Sequence, residues 1–464
     1  MMNKMPEPDG VLLHAADWVA ALRHDAIPPS VLQVARNCVV DTLGVALAGS
    51  RTRVAEVARS AALEIYGAGE ASALGLSARL SAPGAAFVNA CAAHALDFDD
   101  NCYAGFVHGS AVLVPAALAA AQARDISGQA FLTALVAGAE VEYAIGKAAT
   151  PSLYARGWWT TGVLGPIGAA AVAASAFGLD RHQVAAALGT AVAGTGGAKS
   201  CFGTDAKPLL CGRAAEAGLS ACMLAASGAS GPGSALEDTR GFWRLFNDGT
   251  WEPQPFADLG KQWSLLEPGI DVKRIPVCLS AHAAVDAVMT LVADNDLALD
   301  DVEHIECDVS GIVVANLVHD RPRTPQEAQF SLPFAIACSL VHGDVRLEHL
   351  DPAVLLSPGL QTVMGRVGMV SSERWAPGTE LVYKHPEGAL VTLTTRDGRR
   401  FERLGDYARG MKQRPLSQAE LDGKFLDCAG AVPGLDAATL LARLRGVDEL
   451  TSLRGMPTDE MAQR

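Results

Sequence analysis

The sequence has few aromatic residues for a chain of its size. Phe, Trp and Tyr make up 6% of its 464 residues although half of all residues are hydrophobic, so Ala, Val and Leu supply most of the apolar surface. Ala and Leu are strong helix formers, and the composition therefore predicts a helix-rich fold. The length is sufficient for two or three domains with a large core.

The motifs that mark common cofactor and nucleophile sites are missing. No GxGxxG follows a predicted strand, no GxSxG occurs, and in the glycine-rich stretch GTGGAKSCFG (194–203) the spacing to lysine is not that of a phosphate-binding loop. These absences argue against a dinucleotide enzyme, a nucleophile-elbow hydrolase and a P-loop NTPase. The ten cysteines have no CxxC or Cys/His ligand spacing, which is typical of reduced thiols in a cytoplasmic protein.

The charge balance is acidic. Lys and Arg number 37 against 51 Asp and Glu, which gives a formal net charge of −14 and a pI of about 5.2. This argues against non-specific nucleic-acid binding, and an anionic substrate would need a local cluster of Lys or Arg. The N-terminal MMNKMPEPDG resembles neither a secretory signal nor a transit peptide, and the apolar stretch Val163–Leu179 is shorter than the ~20 residues of a membrane span. We expect a cytoplasmic protein without membrane or nucleic-acid partners.

Apolar periodicity divides the chain into three parts. Apolar residues at three-to-four spacing, punctuated by Gly and Pro, predict helices and loops as far as about residue 265. Beyond this, residues 305–309 alternate between apolar and polar, and a hairpin is predicted at the Asp397-Gly398 turn. We predict a mainly α protein with a large helical domain at 1–268, a smaller α+β domain at 269–408 and C-terminal helices at 409–464.

Acid, amide and imidazole groups are concentrated between two alanine-rich apolar segments. They lie in the run HALDFDDNCYAGFVHGS and are His94, Asp97, Asp99, Asp100, Asn101 and His108. A calcium loop starting at Asp97 is excluded, because it would place Cys102 where glycine is needed and His108 where a bidentate glutamate is needed. A transition-metal site formed by His94, Asp97 and His108 has no recognised spacing, so no metal is predicted.

Asp97 and His108 are the members of this run that we expect to carry chemistry. A carboxylate near an imidazole orients the ring and raises its basicity. Asp99 and Asp100 are expected to hold the loop, and His94 to be a core residue.

Two further side chains have two interpretations each. Lys207 follows the glycine-rich stretch and precedes a helix that is predicted from about Arg213. It is either an anion clamp or proton carrier in a partly buried site, or a solvated loop lysine. The phenol of Tyr154 either exchanges a proton with a substrate or packs with its hydroxyl at the surface.

Six runs, in order, resemble the MmgE/PrpD family, which contains 2-methylcitrate dehydratases, cis-aconitate decarboxylases and iminodisuccinate epimerases. They are CVVDTLGVALAG (38–49), HALDFDDN with HGS (94–110), GAEVEYAIG (138–146), GWWTTGVLGPIGAAAVA (157–173), FGTDAKPLLCGRAAEAG (202–218) and KRIPVCLSAH (273–282). The resemblance implies a large all-helical domain with a smaller α+β lid domain, a homodimer, and catalysis without a metal or organic cofactor.

The resemblance also implies a set of site residues. It points to Asp97, His108 and Lys207 as catalytic groups, and Tyr154 is a further acid or base. The residues that it places around the substrate are Asn101, Trp159, Thr161, Lys273, Cys278, His282 and Phe334. Three usual polar groups of the family are replaced here, two histidines by Trp159 and Leu210 and a tyrosine by Phe334.

The implied chemistry is proton abstraction from a carbon next to a carboxylate. Cationic donors such as Lys207 would stabilise the resulting carbanion. We therefore predict a lyase or isomerase that acts on a small di- or tricarboxylate by dehydration or decarboxylation. Two alternatives stay open: an iminodisuccinate-type epimerase, and a catalytically altered member that binds a carboxylate, which the replaced polar groups motivate.

Overall fold

The computed structural model describes residues 10–149 and 152–457. The chain folds into two units. Unit 1 contains the described residues up to Ala95, Asp99–Ile270 and those from Gln418 onward, and unit 2 contains Leu96–Phe98 and Asp271–Ser417. Unit 2 thus extends to Ser417, whereas the α+β domain is predicted from the sequence to end at residue 408. The prediction of no leader peptide was made on the first ten residues, and residues 1–9 lie outside the described part of the chain.

Helices dominate the described chain, and this confirms the mainly α prediction. Those that precede unit 2 are α1 (Val11–Ala21), α2 (Pro29–Gly49), α3 (Arg53–Ile65), α4 (Ala82–His94), α5 (Gly109–Arg124), α6 (Gly128–Ala149), α7 (Ser152–Ala155), α8 (Thr160–Ala176), α9 (Arg181–Ala193), α10 (Ala206–Ala226), α11 (Phe242–Asn247) and α12 (Gln254–Ala257). Those of unit 2 are α13 (His282–Asp294), α14 (Gly311–Asn316), α15 (Pro325–Ala328), α16 (Leu332–His342), α17 (Pro352–Leu355), α18 (Pro358–Met364) and α19 (Glu380–Lys384). Two helices then return to unit 1, α20 (Gln418–Ala429) and α21 (Ala437–Arg445).

The core of unit 1 is centred on α8, which packs against α5, α6, α9 and α10. Nearly every residue of α8 is buried, as expected for a helix that is apolar on all sides. Pro115 lies inside α5. Helices α2 and α10 are long and apolar enough to cross a membrane, but 72% and 56% of their most apolar windows are buried in the protein, as in core helices.

Two glycines allow the helices that carry the candidate site to approach closely. A Cβ atom at Gly212 of α10 would lie 2.6 Å from the backbone oxygen of Phe87 in α4. A Cβ atom at Gly109, the first residue of α5, would lie 2.5 Å from the hydroxyl of Tyr143 in α6. Larger residues at these two positions would separate the helices, so the glycines permit this close packing.

Helix α10 begins at Ala206 and not near Arg213 as predicted. Its first turn includes Lys207 and Pro208. Proline is compatible with a first turn because its missing N–H has no partner there, so the glycine-rich stretch and Pro208 do not delay the helix. Lys207 is therefore a helical residue with a buried side chain, and not a solvated loop lysine.

Unit 1 also contains a small hairpin, and unit 2 contains the main sheet. The hairpin strands are β1 (Ala68–Ser72) and β2 (Arg79–Leu80); the sheet strands are β3 (Val302–Val309), β4 (Val367–Val370), β5 (Ala389–Thr395) and β6 (Arg400–Gly405). The sheet order is β4-β3-β5-β6, with β4 parallel to β3 and the other pairs antiparallel. Gly398 has a φ of 86° in the turn between β5 and β6, so the predicted hairpin is confirmed. Helices α13 and α16 pack on this sheet.

A buried ion pair holds helix α20 on α2. Removing this ion pair tests its contribution to stability. Lys424 Nζ lies 2.7 Å from Asp41 Oδ1, and the side chains are 7% and 0% exposed. We expect Lys424→Met to lower the free energy of unfolding by about 3–5 kcal/mol, because it leaves a buried carboxylate without its cation. The measurement is urea-induced unfolding followed by circular dichroism.

The matched control is Arg181→Met, which removes an ion pair between Arg181 and Asp17 whose side chains are 40% and 48% exposed. An exposed pair contributes at most about 1 kcal/mol. Equal shifts for the two variants would contradict the proposed role of Lys424.

Candidate active site

Four helix ends of unit 1 bring the polar residues of the candidate site together. His94 is the last residue of α4, and His108 directly precedes α5. Trp159 directly precedes α8, and Lys207 lies in the first turn of α10. The ring of His94 lies 4.7 Å from that of His108 and 5.5 Å from that of Trp159, measured between centroids. Lys207 Nζ lies 5.9 Å from the Trp159 ring centroid, so all four side chains form one cluster.

One carboxylate joins the two histidines. Asp99 Oδ2 lies 2.8 Å from His94 Nδ1 and 3.3 Å from His108 Nδ1. Burial alone would raise the pKa of Asp99, but the two imidazoles outweigh it and hold that pKa well below its usual range. Burial lowers the pKa of His94 to about 4, and the charge of Asp99 offsets this only in part. At neutral pH the cluster therefore contains an ionised Asp99 and a neutral His94.

Hydrogen bonds fix which nitrogen of each ring carries the proton. A carboxylate can only accept, so His94 donates from Nδ1 to Asp99. His108 Nδ1 lies 2.9 Å from the backbone oxygen of Asp100, which is also only an acceptor, so His108 donates from Nδ1. The Nε2 atom of a neutral His108 consequently carries a lone pair, as a general base requires.

Positive potential accumulates where α5, α8 and α10 begin. The N-terminus of a helix carries about half a positive charge. The His108 backbone N–H donates to Thr161 Oγ1 at 3.0 Å, which ties the start of α5 to that of α8, and Lys207 adds an ammonium that is only 4% exposed. A cation is unfavourable at a helix N-terminus and costly to bury. An anion bound here would offset both costs.

Two buried carboxyl groups in unit 1 do not fully cancel this potential. Burial, followed by the charge of Asp41, raises the pKa of Asp100 to about 7. Burial and then the charge of Asp100 raise the pKa of Glu142 to about 8. Both groups are thus partly or mostly protonated at neutral pH, and Asp99 remains the fully ionised carboxylate of the cluster.

The predicted residues Tyr154 and Asn101 also lie in unit 1. The Tyr154 ring stacks on Phe106 with centroids 5.0 Å apart, and Lys199 Nζ lies 3.5 Å from the Tyr154 ring centroid. Asn101 is 9% exposed in the loop between α4 and α5. The ring of Tyr154 is therefore held between an aromatic group and a cation, and Asn101 is part of the buried loop.

Asp97 has a different partner from the one predicted. It groups with unit 2, where Lys273 Nζ donates to both its Oδ2 and its backbone oxygen at 2.8 Å. Its φ of 48° lies in the left-handed region, which non-glycine residues rarely adopt and which is frequent at functional sites. This conformation directs the Asp97 carboxylate to Lys273, and the carboxylate that contacts the imidazoles is Asp99, which the sequence analysis had assigned to holding the loop.

Three other predicted residues lie in unit 2. Burial, followed by the charges of Asp97 and Glu387, raises the pKa of the Cys278 thiol to about 11, so it remains protonated at neutral pH. His282 is buried and donates from Nε2 to the backbone oxygen of Val277 at 3.1 Å. Phe334 has no exposed surface and packs in the hydrophobic core of unit 2.

His94, Asp99 and His108 also have the atom types that bind transition metals, and their ligand atoms lie within 4.8 Å of one another. The 2.8 Å contact between His94 Nδ1 and Asp99 Oδ2 is an N–H···O hydrogen-bond distance. A metal ion bound to both atoms would have to separate them, because metal–ligand bonds of about 2.0–2.2 Å at tetrahedral angles place ligand atoms further apart. The arrangement is that of a carboxylate that accepts from one imidazole and contacts a second.

Phe202 is a member of the site that sequence reasoning did not identify. Its ring centroid lies 5.2 Å from Lys207 Nζ and 5.8 Å from Lys199 Nζ. The only sequence signal was its position near the end of the glycine-rich stretch, shortly before Lys207. An aromatic residue there is not distinguishable from a packing residue without the contacts.

Known proteins resemble this chain over nearly its whole length. The family model described as the MmgE/PrpD N-terminal domain matches residues 14–254, and the MmgE/PrpD C-terminal domain matches residues 275–445. A cis-aconitate decarboxylase-like protein of Aspergillus oryzae is 28% identical over 92% of each chain. The cis-aconitate decarboxylases of Homo sapiens and Aspergillus terreus are 26% and 27% identical, each over 96% of this chain and over 95% and 94% of their own lengths.

The neutral state of His94 can be tested by histidine NMR. Since burial lowers its pKa to about 4, we expect the His94 ring signals to stay constant between pH 8 and pH 5 and to titrate only near pH 4. The spectra use protein labelled with 15N and 13C at histidine. The His94→Gln variant identifies the His94 signals by their loss. A titration midpoint near pH 6.5, the pKa of an unperturbed histidine, would contradict the prediction that His94 is neutral.

Proposed function

Because this chain belongs to the MmgE/PrpD family, we propose that it is a lyase that releases CO2 from a small tricarboxylate of the cis-aconitate type. The decarboxylase names of its relatives favour this reaction over dehydration. The observation that carries the proposal is the buried Lys207 near the N-termini of α5, α8 and α10, an arrangement that favours a bound anion.

Lys207 would bind the substrate carboxylate that stays on the product. Its ammonium and the N-termini of α5, α8 and α10 stabilise negative charge that spreads onto this carboxylate as the C–C bond breaks. Such fixed positive groups act most strongly in a site from which water is excluded. The burial of Lys207, 4% exposed, meets that requirement.

His108 would move the proton. When CO2 leaves an unsaturated tricarboxylate, the electrons of the broken C–C bond form a new C=C bond, and the electrons of the old C=C bond take up a proton at carbon. A protonated His108 can donate this proton from Nε2, because Nδ1 is engaged by the Asp100 backbone oxygen and by Asp99. Asp99 would stabilise the imidazolium without itself changing protonation.

The same groups suit a second reaction. With His108 neutral, Nε2 can remove a proton next to a carboxylate and return it to the same carbon, and an epimerase needs an additional acid on the opposite face. Tyr154 is the candidate for that acid. Its ring lies between Phe106 and Lys199, which keeps its position fixed.

The substrate proposal is tested by incubating the protein with cis-aconitate in D2O and following the reaction by NMR. We expect CO2 release and one deuterium at carbon in the unsaturated dicarboxylate product. Lys207→Ala should lower kcat by about 10²- to 10³-fold, the usual effect of removing one transition-state donor, with an unchanged circular dichroism spectrum. Lys261→Ala, an exposed lysine of unit 1, is the control and should retain activity.

Other outcomes of this experiment have distinct meanings. Deuterium exchange into a dicarboxylate without net conversion would indicate an epimerase and not a decarboxylase. Binding of cis-aconitate without exchange or CO2 release would indicate a catalytically altered, carboxylate-binding member of the family. Full activity of Lys207→Ala would overturn the central role of this lysine.

Asp99 is a positioning residue in this scheme, and its role predicts a pH effect. Asp99→Asn should lower kcat about 100-fold or more, within the range of general acid–base catalysis, while KM changes little because Asp99 does not touch the substrate. The pH profile of kcat/KM should also move to lower pH, since a protonated imidazole loses its neighbouring negative charge. A fall in kcat without any movement of the profile would indicate a purely structural role.

A further inference from the structure

His94 is as deeply buried as a core residue, yet it has a polar contact of its own. Its side chain has no exposed surface, and its Nδ1 donates to Asp99 Oδ2 at 2.8 Å. Burial lowers the pKa of His94 to about 4, and the charge of Asp99 offsets this only in part. At neutral pH His94 therefore gives Asp99 a hydrogen bond but no positive charge.

The oxygen that accepts from His94 also contacts His108. Asp99 Oδ2 lies 3.3 Å from His108 Nδ1, and the centroids of the two histidine rings are 4.7 Å apart. Each hydrogen bond that a carboxylate accepts stabilises its ionised form and lowers its affinity for a proton. The donor of His94 therefore competes with His108 for the negative charge of one oxygen atom.

Few other ionisable groups act on this cluster. Among the described residues, the further groups that interact electrostatically with His94 or Asp99 are Asp100 of the loop and Lys207 and Cys211 of α10. Burial, followed by the charge of Asp99, holds the pKa of the Cys211 thiol well above its usual range, so the thiol is uncharged at neutral pH. A substitution at His94 alters none of these three groups, so it reports on the hydrogen bond to Asp99.

We propose that His94 is a positioning residue that weakens the hold of Asp99 on the His108 proton, so that His108 can give this proton to the substrate carbon. Without the donor of His94, Asp99 would favour the protonated imidazole of His108 more strongly. Because the two groups titrate as a pair, the pair would take up its proton at a higher pH, whichever atom holds it. The catalytic part of this inference rests on the proposed function, whereas the effect on the proton does not.

The test replaces His94 by residues that differ in the donor. His94→Leu and His94→Phe remove it, and His94→Asn places an amide N–H where Nδ1 lies. The titration of His108 is followed by NMR in protein labelled with 15N at histidine, and His108→Gln identifies its signals by their loss. We expect a midpoint about one pH unit above that of the wild type for Leu and Phe, a tenfold gain in proton affinity, and within about 0.3 unit for Asn.

The matched control is His182→Leu, which makes the same change at an exposed histidine of α9. It should leave the His108 midpoint at the wild-type value. Circular dichroism establishes that each variant is folded. Either of the two variants without the donor is sufficient for the comparison with His94→Asn, so a folding defect in one of them does not prevent the test.

A second readout is the pH profile of kcat/KM with cis-aconitate. In His94→Leu and His94→Phe the basic limb of this profile should move about one unit to higher pH, which is opposite to the movement predicted for Asp99→Asn. Their kcat should fall, because His108 then holds its proton more tightly.

The outcomes distinguish this inference from the proposed function. An unchanged or lowered His108 midpoint in the variants without the donor overturns the inference. An equal shift in His94→Asn also overturns it, because the effect would then come from lost packing. If the midpoints shift as expected but the wild-type protein does not act on cis-aconitate, the effect of His94 on the proton stands and the proposed function fails. If the wild-type protein releases CO2 while the midpoints stay fixed, the proposed function stands without this inference.

Discussion

The candidate site depends on one buried carboxylate that two histidines share. Asp99 accepts from His94 and contacts His108, and it lies with His94 entirely out of solvent. Burying a carboxylate is costly unless donors surround it, and here the imidazoles supply them. Because His94 ends α4 and His108 directly precedes α5, this interaction also ties together two helices whose ends form the site. It fixes the proton of His94 on Nδ1, and the Asp100 backbone oxygen does the same for His108, so Nε2 of a neutral His108 carries the lone pair.

The candidate site is locally positive in a chain whose net charge is negative. The protein has a formal net charge of −14, yet the buried Lys207 lies in the first turn of α10, close to the rings of Trp159 and Phe202. Asp100 and Glu142, which would otherwise oppose this field, have pKa values raised to about 7 and about 8. The cluster therefore has the positive charge that the proposed carboxylate substrate requires.

Much of the fold could be predicted from the local pattern of apolar residues, and the predictions that were wrong have identifiable causes. Helix α6 lies in the part of the chain for which apolar periodicity predicted helices, and the hairpin of β5 and β6 turns at Asp397-Gly398. The start of α10 was placed too late because a glycine-rich stretch and Pro208 resemble a loop. Strand β4 has only four residues without alternation, and its pairing with β3 is a tertiary effect.

The site was predictable in its residue types but not in its pairings. His108 and Lys207 were predicted as site residues and lie in one cluster, whereas the contact of Asp99 with the two imidazoles was not decidable from the sequence. Both acids lie in LDFDD, and the left-handed conformation of Asp97 accompanies a contact with Lys273, 176 residues away. The contacts of Lys207 with the rings of Phe202 and Trp159 could not be predicted from the sequence either, because tertiary packing brings these rings to it.

The most direct test of the account is a crystal structure with propane-1,2,3-tricarboxylate, a saturated analogue of the proposed substrate. The account predicts a carboxylate within hydrogen-bond distance, about 2.8 Å, of Lys207 Nζ at the start of α10, with carbon atoms of the ligand next to His108 Nε2. A ligand bound away from Lys207, with the His94–Asp99–His108 cluster out of its reach, would contradict it.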